Sequence, residues 1–378
     1  MYVLGDEEVE RALDVADAIE AVSDAFLQDH RGQAQVPLRT SIAVPHEEGV
    51  SLFMPARLAK TAGLGLKIVS VRPKNAERGQ PTVPATVLLL DEATGLPAAI
   101  MQATYLTAIR TAAASGAATR LLAKSDAATL AVFGAGLQAK AHVEAMLSVR
   151  GQSLRQVYIL NRTNERAQQL CDHFIRLKKE THPDIEWTAV DWQSEEQDRV
   201  VREADIIVAA TNSSTPLFRG ELLKEGAHIN AIGSYMPSMQ ELDEETVKRA
   251  KVVADDRGAV LAEAGDVIVP IQRGLITEEH VLGALGAALA GDIQVQVVRW
   301  RLFAVLHLVS NISLSILSYM LFFFVFSLCQ HILQVRTSEK DITLFKSVGS
   351  ASQDIAVAQA ALKAAQSKGL GQRISNSK

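Results

Sequence analysis

Cysteine is scarce in this chain, with only Cys171 and Cys329 among 378 residues. Neither lies in a C-x-x-C pair or beside other metal-ligating residues, so the sequence indicates no disulfide framework and no metal site, and it fits a reducing compartment. Long basic runs are also absent and the formal net charge is −5, which argues against a nucleic-acid partner. The first residues lack a basic stretch followed by an apolar one, so we expect no signal or transit peptide and a cytoplasmic protein.

Strand-like and helix-like segments alternate from Ala127 onward. Helices are predicted at 164–179 and 194–203, and strands at 129–133, 156–160, 186–190, 206–210, 228–232 and 252–254. This alternation predicts an α/β fold with a doubly wound parallel sheet of the Rossmann type. The earlier part of the chain differs, with an amphipathic helix at 17–29, several short β-rich runs, and a helix of small residues at 107–123.

A glycine-rich turn follows the first strand of this alternating region. Gly134 permits the tight turn, Gly136 lets the backbone approach a pyrophosphate, and Ala139 lets the next helix pack closely on the strand. The amides of Leu137 and Gln138, at the start of that helix, then face the anion. We interpret the turn as a dinucleotide-binding loop; the alternative is a turn of small residues without a ligand.

The second strand of this region ends in Asn161, Arg162 and Thr163. This position normally meets the adenosine ribose, where an acidic residue would bind the 2′-hydroxyl of NAD. A guanidinium instead matches a 2′-phosphate in charge and geometry. The sequence therefore favours NADP(H), with NAD as the alternative if Arg162 is solvated or only stacks on the adenine.

Taken together and in order, a set of short motifs resembles the ornithine cyclodeaminase/mu-crystallin family. The motifs are Val-Pro-Leu-Arg at 36–39, Met-Pro-Ala at 54–56, Gly-Leu-Lys-Ile-Val at 65–69, Pro-Thr at 81–82, the helix at 106–115, the loop at 134–139, Ile-Asn-Ala-Ile-Gly-Ser at 229–234, Glu-Ala-Gly-Asp at 263–266 and Phe-Lys-Ser-Val-Gly at 345–349. The resemblance spans about 1–292 and 337–378.

This resemblance implies a homodimer that acts on small α-amino or α-imino acids. It implies a discontinuous α+β substrate-binding and dimerisation domain, made of 1–124 and 337–378, around a Rossmann domain at 125–293. Catalytic roles are implied for Arg39, Lys67 and Arg110. Contact with the cofactor is implied for Thr82, Arg110, the Gly134 loop with Gly136, Leu137 and Gln138, the triplet Asn161, Arg162 and Thr163, and Thr211, Ile232 and Ser347.

Reduction of a C=N bond beside a carboxylate requires that the carboxylate is held, the nitrogen is protonated and hydride reaches the carbon. Arg39 and Arg110 are suited to bind a carboxylate in a bidentate manner. Burial would lower the pKa of Lys67, so that it could share a proton with the nitrogen or hold the carboxylate. Without the resemblance, Lys67 would be read as a lysine on an exposed strand face, Arg39 as a loop charge, Arg110 as the start of a helix and Thr82 as a turn residue.

Other charged residues and one departure from the family pattern narrow the choice of reaction. Asp243 and the acidic residues of 263–266 are interpreted as helix caps and solvated charges. Ornithine cyclodeaminases carry an aspartate where this chain has Tyr235, and that aspartate receives the substrate amine. We therefore rank a ketimine reductase, of the pyrroline-2-carboxylate type, above an NAD-dependent cyclodeaminase or alanine dehydrogenase. A non-catalytic NADPH-binding protein like some mu-crystallins is a further alternative.

One apolar segment does not fit this scheme. Residues 302–328 contain no Asp, Glu, Lys or Arg and have the length of a membrane span. A single span would place the 345–349 motif across the membrane from Gly134, so the context argues against membrane contact, although a membrane-anchored form is an alternative. We interpret 294–336 as foreign to the fold, with an in-frame retained intron as the leading explanation and a lineage-specific insertion as the other.

Overall fold

The computed structural model describes residues 1–61, 63–294 and 333–374. The α-helices are α1 (Asp6–Ala12), α2 (Val15–His30), α3 (Thr104–Leu122), α4 (Leu137–Arg150), α5 (Asn164–Lys178), α6 (Glu195–Glu203), α7 (Glu244–Arg249), α8 (Arg257–Glu263), α9 (Gly265–Gln272), α10 (Leu285–Ala290) and α11 (Ala351–Lys368).

Eighteen strands accompany them in the described part of the chain. They are β1 (Tyr2–Leu4), β2 (Ala34–Gln35), β3 (Thr40–Val44), β4 (Gly49–Leu58), β5 (Gly63–Val71), β6 (Ala85–Leu90), β7 (Pro97–Gln102), β8 (Thr129–Phe133), β9 (Gln156–Asn161), β10 (Glu186–Asp191), β11 (Ile206–Ala209), β12 (His228–Ala231), β13 (Ala250–Ala254), β14 (Val281–Ala284), β15 (Ile293–Gln294), β16 (Leu333–Gln334), β17 (Ile342–Lys346) and β18 (Gln372–Arg373).

The first half of the chain builds a mostly antiparallel sheet in the order β18-β1-β7-β6-β5-β4-β2, with β3 also paired to β4. Helix α11 packs against β4 and β5 on one face of this sheet, and it also contacts α2. Along β4 and β5, buried residues alternate with partly exposed ones. This period of two is expected when one face of a sheet covers a core and the other does not.

The second sheet is parallel throughout, in the order β10-β9-β8-β11-β12-β17-β13-β14. The expected α/β fold with a doubly wound parallel sheet is confirmed, and the six predicted strands agree with β8–β13 to within two residues at each end. Two strands, β14 and β17, were not predicted. Every residue of β8, β11 and β12 is buried, as parallel sheets covered on both faces require.

Strand β17 lies between β12 and β13 and pairs with both. The division predicted at residue 337 is therefore wrong for this strand, since 342–346 belongs to the parallel sheet, whereas α11 returns to the first sheet. The physical reason is that β17 is fully buried, and the gap between β12 and β13 is where its backbone groups find partners on both sides. The end of the chain thus joins the two sheets.

Residues 295–332, which include the apolar stretch, lie outside the described residues. Their described neighbours come together, because Ile293 pairs with Leu333 and Gln294 with Gln334 in two parallel strands. The side chains of Ile293 and Val335 are buried. Within the described ranges, no helix combines the length and the apolar character needed to cross a membrane.

Candidate active site

The turn between β8 and α4 has the geometry that binding of a pyrophosphate needs. Gly134 has φ +115°, and a Cβ there would lie 2.7 Å from the carbonyl oxygen of Ala210, so only glycine fits. Gly136 faces open space and precedes α4, whose first amides have no partner within the helix. The side-chain oxygen of Gln138 is buried with no hydrogen-bond partner among the described atoms, and Leu137 is exposed. The turn and the first amides of α4 therefore fit a phosphate.

The end of β9 presents the three polar residues that the sequence analysis assigned to the ribose. The Asn161 side-chain amide donates a hydrogen bond of 2.9 Å to the carbonyl oxygen of Thr163, which shapes the turn. Arg162 is exposed. Both Arg162 and the Gly134 turn follow the carboxyl ends of neighbouring parallel strands, so they lie along one edge of the sheet.

A buried carboxylate joins the loops after β11 and β12. Glu241 accepts hydrogen bonds from the backbone amide of Thr211 at 2.7 Å, the Thr211 hydroxyl at 2.6 Å and the amide of Gly233 at 2.8 Å. Burial raises the pKa of Glu241 to about 7. Ile232, which precedes Gly233, is partly exposed. Glu241 thus fixes two loops at the carboxyl edge of the parallel sheet.

Beneath this edge, the ammonium of Lys346 lies 2.9 Å from the carboxylate of Asp266, and both side chains are fully buried. Asp266 also accepts hydrogen bonds from the backbone amides of Glu241 and Leu242. The interpretation of Asp266 as a solvated charge is therefore wrong, because the residue neutralises a buried lysine and holds a loop. Asp243 does cap α7 by accepting a hydrogen bond from the Thr246 amide.

The segment after β17 is held by a second buried acid. One oxygen of Asp255 accepts hydrogen bonds from the Ser347 hydroxyl at 2.7 Å, the Val348 amide at 3.1 Å and the Gly349 amide at 2.7 Å. Ser347 is 1% exposed. Asp255 therefore fixes the path by which the chain leaves the parallel sheet and enters α11.

Three charged side chains from different elements meet where α11 covers the first sheet. The Lys67 ammonium, from β5, lies 2.7 Å from Oδ2 of Asp354, and Nε of Arg110, from α3, lies 2.9 Å from Oδ1 of the same carboxylate. A further nitrogen of Arg110 donates to the side-chain oxygen of Gln353 at 3.1 Å. The exposed fraction is 1% for the Lys67 side chain and 9% for that of Arg110, so Arg110 forms the accessible side of the cluster.

The environment of Lys67 lowers its pKa into the neutral range. Its neighbours on the adjacent strands are Met54 and Val87, and its ammonium is paired with Asp354. Burial is the main reason why the pKa of Lys67 falls to about 7; Arg110 lowers the pKa as well, whereas Asp354 raises it. A lysine in this state can give or take a proton near neutral pH.

Arg39 completes the set of cations and contacts the same stretch of chain. Its guanidinium donates to the carbonyl oxygen of Gly349 at 3.0 Å and lies 3.2 Å from the carboxylate of Glu263. Gly349 has φ +84°, and a Cβ at this position would lie 2.7 Å from a terminal nitrogen of Arg110. Gly349 is therefore the point at which Arg39 and Arg110 approach each other.

Comparison with known proteins identifies the family of this chain. The model of the ornithine cyclodeaminase/mu-crystallin family matches residues 1–303. The chain belongs to that family. It is 33% identical over 375 residues to a Delta(1)-pyrroline-2-carboxylate reductase of Bacillus cereus, with 99% of each chain covered.

Two solved structures of this family extend the comparison. The Thermococcus litoralis Delta(1)-pyrroline-2-carboxylate reductase, in complex with NADH and L-proline, is 32% identical, with a TM-score of 0.83 and coverage of 99% of this chain and 100% of that one. An archaeal alanine dehydrogenase dimer with bound NAD is 30% identical, with a TM-score of 0.80 and coverage of 100% and 99%. The expected family is therefore confirmed.

Of the residues that the family resemblance singled out, Arg39, Lys67 and Arg110 lie together. Thr82 is different, since its side chain is exposed and its backbone oxygen accepts a hydrogen bond from the Arg72 amide in the loop between β5 and β6. No described contact joins Thr82 to the three cations.

The polar partners of Lys67 and Arg110 were missed in the sequence analysis. Asp354 and Gln353 lie on a helix rich in alanine, where a carboxylate is usually solvated. A usable signal was present, because Asp354 falls on the face that carries Ile355, Ala358 and Leu362, and a charge on an apolar helix face needs a buried partner. Glu263 was interpreted as solvated, whereas it pairs with Arg39.

Proposed function

We propose that this protein is an NAD(P)H-dependent reductase of a small cyclic imino acid, of the ketimine or pyrroline-2-carboxylate type. The observation that carries the proposal is the cluster of Lys67, Arg110 and Asp354. It places two cations and one carboxylate at a buried point beside the edge of a dinucleotide-binding sheet. Its excess positive charge is suited to an anionic substrate, and its lysine is suited to proton transfer.

The roles of the cations follow from their exposure and geometry. Arg110 and Arg39 are the more accessible, and a guanidinium binds a carboxylate through two parallel hydrogen bonds. We assign the substrate carboxylate to them. Lys67 is assigned to the substrate nitrogen, where its ammonium donates a hydrogen bond or a proton and so increases the electrophilic character of the C=N carbon. The carboxylate of Asp354 keeps this ammonium in place.

A nicotinamide cofactor would supply the hydride to that carbon. In our proposal the α4 amides beside Gly136 hold its pyrophosphate, and Thr211, Ile232 and Ser347 lie along its nicotinamide half, with Thr82 near the ring. The sequence at the ribose favours NADP(H), because Arg162 is an exposed guanidinium where an acidic residue would select NAD. The solved relatives were obtained with NADH and with NAD, so NAD is the alternative for this chain.

Cyclodeamination is the second candidate, and one position argues against it. Tyr235 occupies the place where ornithine cyclodeaminases carry an aspartate, and its side chain packs against the apolar core of the parallel sheet. Burial raises the pKa of Tyr235, so its hydroxyl stays protonated and does not replace a carboxylate base. We also retain the division into a substrate domain and a Rossmann domain as a proposal, with 337–378 contributing to both.

We further propose that the protein is a cytoplasmic homodimer. Large apolar side chains in and next to β3 are exposed in the single chain: Leu38, just before the strand, is 88% exposed, and Ile42, within it, is 52% exposed. Large apolar side chains left exposed favour a protein contact. The archaeal alanine dehydrogenase relative, which was solved as a dimer, supports a second copy of this chain as the partner.

The test is oxidation of NADPH and of NADH by the purified protein, followed at 340 nm, with cyclic imino acids of five- and six-membered rings. We expect turnover with at least one of them and formation of the corresponding cyclic amino acid. L-Ornithine with NAD is the comparison substrate. Ammonia release from ornithine as the main activity, without imine reduction, would refute the proposal, and binding of NADPH without turnover of any imine would favour a non-catalytic binding protein.

A further inference from the structure

We propose that Asp354 is the positioning residue of this site: it directs the Lys67 ammonium and the Arg110 guanidinium toward the bound substrate. The inference rests on the proposed function, because it assigns a role within the same site. The carboxylate does not touch the substrate in this scheme. It acts through the two cations.

Both carboxylate oxygens of Asp354 are engaged by the two cations. Each of its oxygens faces a different one, Oδ2 the Lys67 ammonium at 2.7 Å and Oδ1 the Arg110 Nε at 2.9 Å. The side chain has no exposed surface, and among the described atoms neither oxygen accepts any hydrogen bond beyond these two ion pairs. A carboxylate held only by two cations fixes their separation and their direction.

The terminal nitrogens of Arg110 have partners other than Asp354. Because the closest contact of Asp354 with Arg110 is through Nε, at 2.9 Å, the two outer nitrogens remain for other groups. One of them donates to Gln353, and both lie within 3.0 Å of the position that a Cβ of Gly349 would occupy. These outer nitrogens are the part of Arg110 that a substrate carboxylate can reach, so Asp354 decides which side of the guanidinium faces the substrate.

Asp354 also acts on Lys67 through its charge. The charged groups that act on Lys67 are Arg110 from α3, Asp354 from α11 and Arg39 from the loop before β3. Burial and the two arginines disfavour the ammonium, whereas Asp354 is the carboxylate among the described residues that favours it. Because Asp354 raises the pKa of Lys67, loss of its charge would lower that pKa further, and a smaller fraction of Lys67 would carry a proton at any pH near neutrality.

The parallel sheet fixes the position of Asp354. Asp255, just after β13, binds the backbone at 347–349, and α11 begins two residues later at Ala351. The short stretch from Lys346 to Asp354 therefore runs from the edge where the cofactor would lie to the substrate cations. The position of Lys67 depends in this way on the Rossmann sheet, although Lys67 itself lies in the other one.

The experiment compares Asp354→Asn with the wild-type enzyme over pH 5 to 9, measuring kcat and KM for imine reduction. We expect kcat/KM of the wild type to fall as the pH rises through about 7. In the variant, this alkaline limb of the pH profile should lie at a pH lower by about one unit or more, the usual effect of removing an opposite charge. The loss at pH 7.5 should therefore be about tenfold larger than the loss at pH 5.5. A uniform loss at every pH would overturn the proposal.

Asp266→Asn is the matched control, because it removes the carboxylate from another fully buried lysine–aspartate pair at 2.9 Å. It should lower stability but leave the pH limb where it is. A shift of the limb by this variant as well would contradict the assignment to Lys67. If Asp354→Asn does not fold, Asp354→Glu carries the test, with the limb retained and kcat reduced; an unchanged kcat would overturn the positioning role.

A readout independent of turnover separates this inference from the proposed function. The Lys67 signal of protein labelled with 13C at lysine Cε, identified by its loss in Lys67→Arg, reports the titration directly. We expect its midpoint to be lower in Asp354→Asn than in the wild type, and an unchanged midpoint would overturn the inference. If the wild type reduces no imino acid, the proposed function fails, while this titration still decides the role of Asp354.

Discussion

Substitution of Gly349 by alanine should impair the site through Arg110. At φ +84°, a residue with a Cβ is strained by about 1–2 kcal/mol. The new methyl group would also lie 2.7 Å from one terminal nitrogen of Arg110 and 3.0 Å from the other, whereas ordinary contacts begin at 3.4 Å. Because Arg110 is tied to Asp354 and Gln353, the guanidinium must shift by roughly 0.7 Å against these partners.

A displacement of this size at a group that positions the substrate should lower kcat/KM. Misplacement by 1 Å can cost about 100-fold, so we expect kcat/KM for the imino acid to fall about 10- to 100-fold, equivalent to about 1.4–2.8 kcal/mol. The dissociation constant for NADPH, measured by fluorescence, should change little, since Gly349 lies on the substrate side of Ser347.

Gly369→Ala is the control for backbone strain. Gly369 ends the same helix, α11, with φ +64°, and a Cβ there would meet nothing within 4 Å. Both variants should lower the unfolding midpoint, Gly349→Ala by more because its methyl group also contacts Arg110, but only Gly349→Ala should lose kcat/KM. Equal activity in the two variants would show that the contact with Arg110 is unimportant, and the reasoning about the substrate carboxylate would be wrong.

Three further predictions concern the proton donor, the cofactor and the apolar segment. Lys67→Ala should reduce turnover by about 100-fold or more with NADPH binding retained, and an active variant would remove Lys67 from the mechanism. Arg162→Ala should weaken binding of NADPH by about 1–3 kcal/mol and spare NADH; equal losses in calorimetric titrations would exclude selection by Arg162. Replacement of 295–332 by a short glycine-serine link should give a soluble, active protein, because the flanking strands β15 and β16 are paired and so lie about 5 Å apart; a deletion variant that cannot fold would show that the segment is structural.

The alternating half of the chain could be predicted from its sequence because its signals are local. Each strand from β8 to β12 is a short apolar run, bounded by polar turns and followed by an amphipathic segment or a loop. Strand β17 has a similar apolar run, but its place is set by a gap between β12 and β13 more than eighty residues earlier. No periodicity within residues 342–346 specifies that gap, which is why the strand was missed.

The candidate site was also only partly predictable, because its contacts join residues far apart along the chain. Lys67 and Arg110 were found through short motifs that the family shares, but what brings them together is Asp354, which lies 244 residues from Arg110 and 287 residues from Lys67 along the chain. A carboxylate on an alanine-rich helix gives no local indication of its partner. Asp266 was misjudged for a related reason, since its lysine, Lys346, comes from the strand that the sequence analysis did not predict.

The insertion of β17 between β12 and β13 also has a consequence for how the protein forms during synthesis. Domains generally begin to fold from the N-terminal end as the chain leaves the ribosome. Here β12 and β13 cannot pair with each other in the native order, and both keep an open edge until residue 346 has been made. During that interval Lys67 also lacks Asp354, its buried counter-charge. Stop codons and frameshifts near the 3′ end of the reading frame should therefore be as damaging as early ones, and exposed strand edges in such truncated chains should lead to aggregation and degradation.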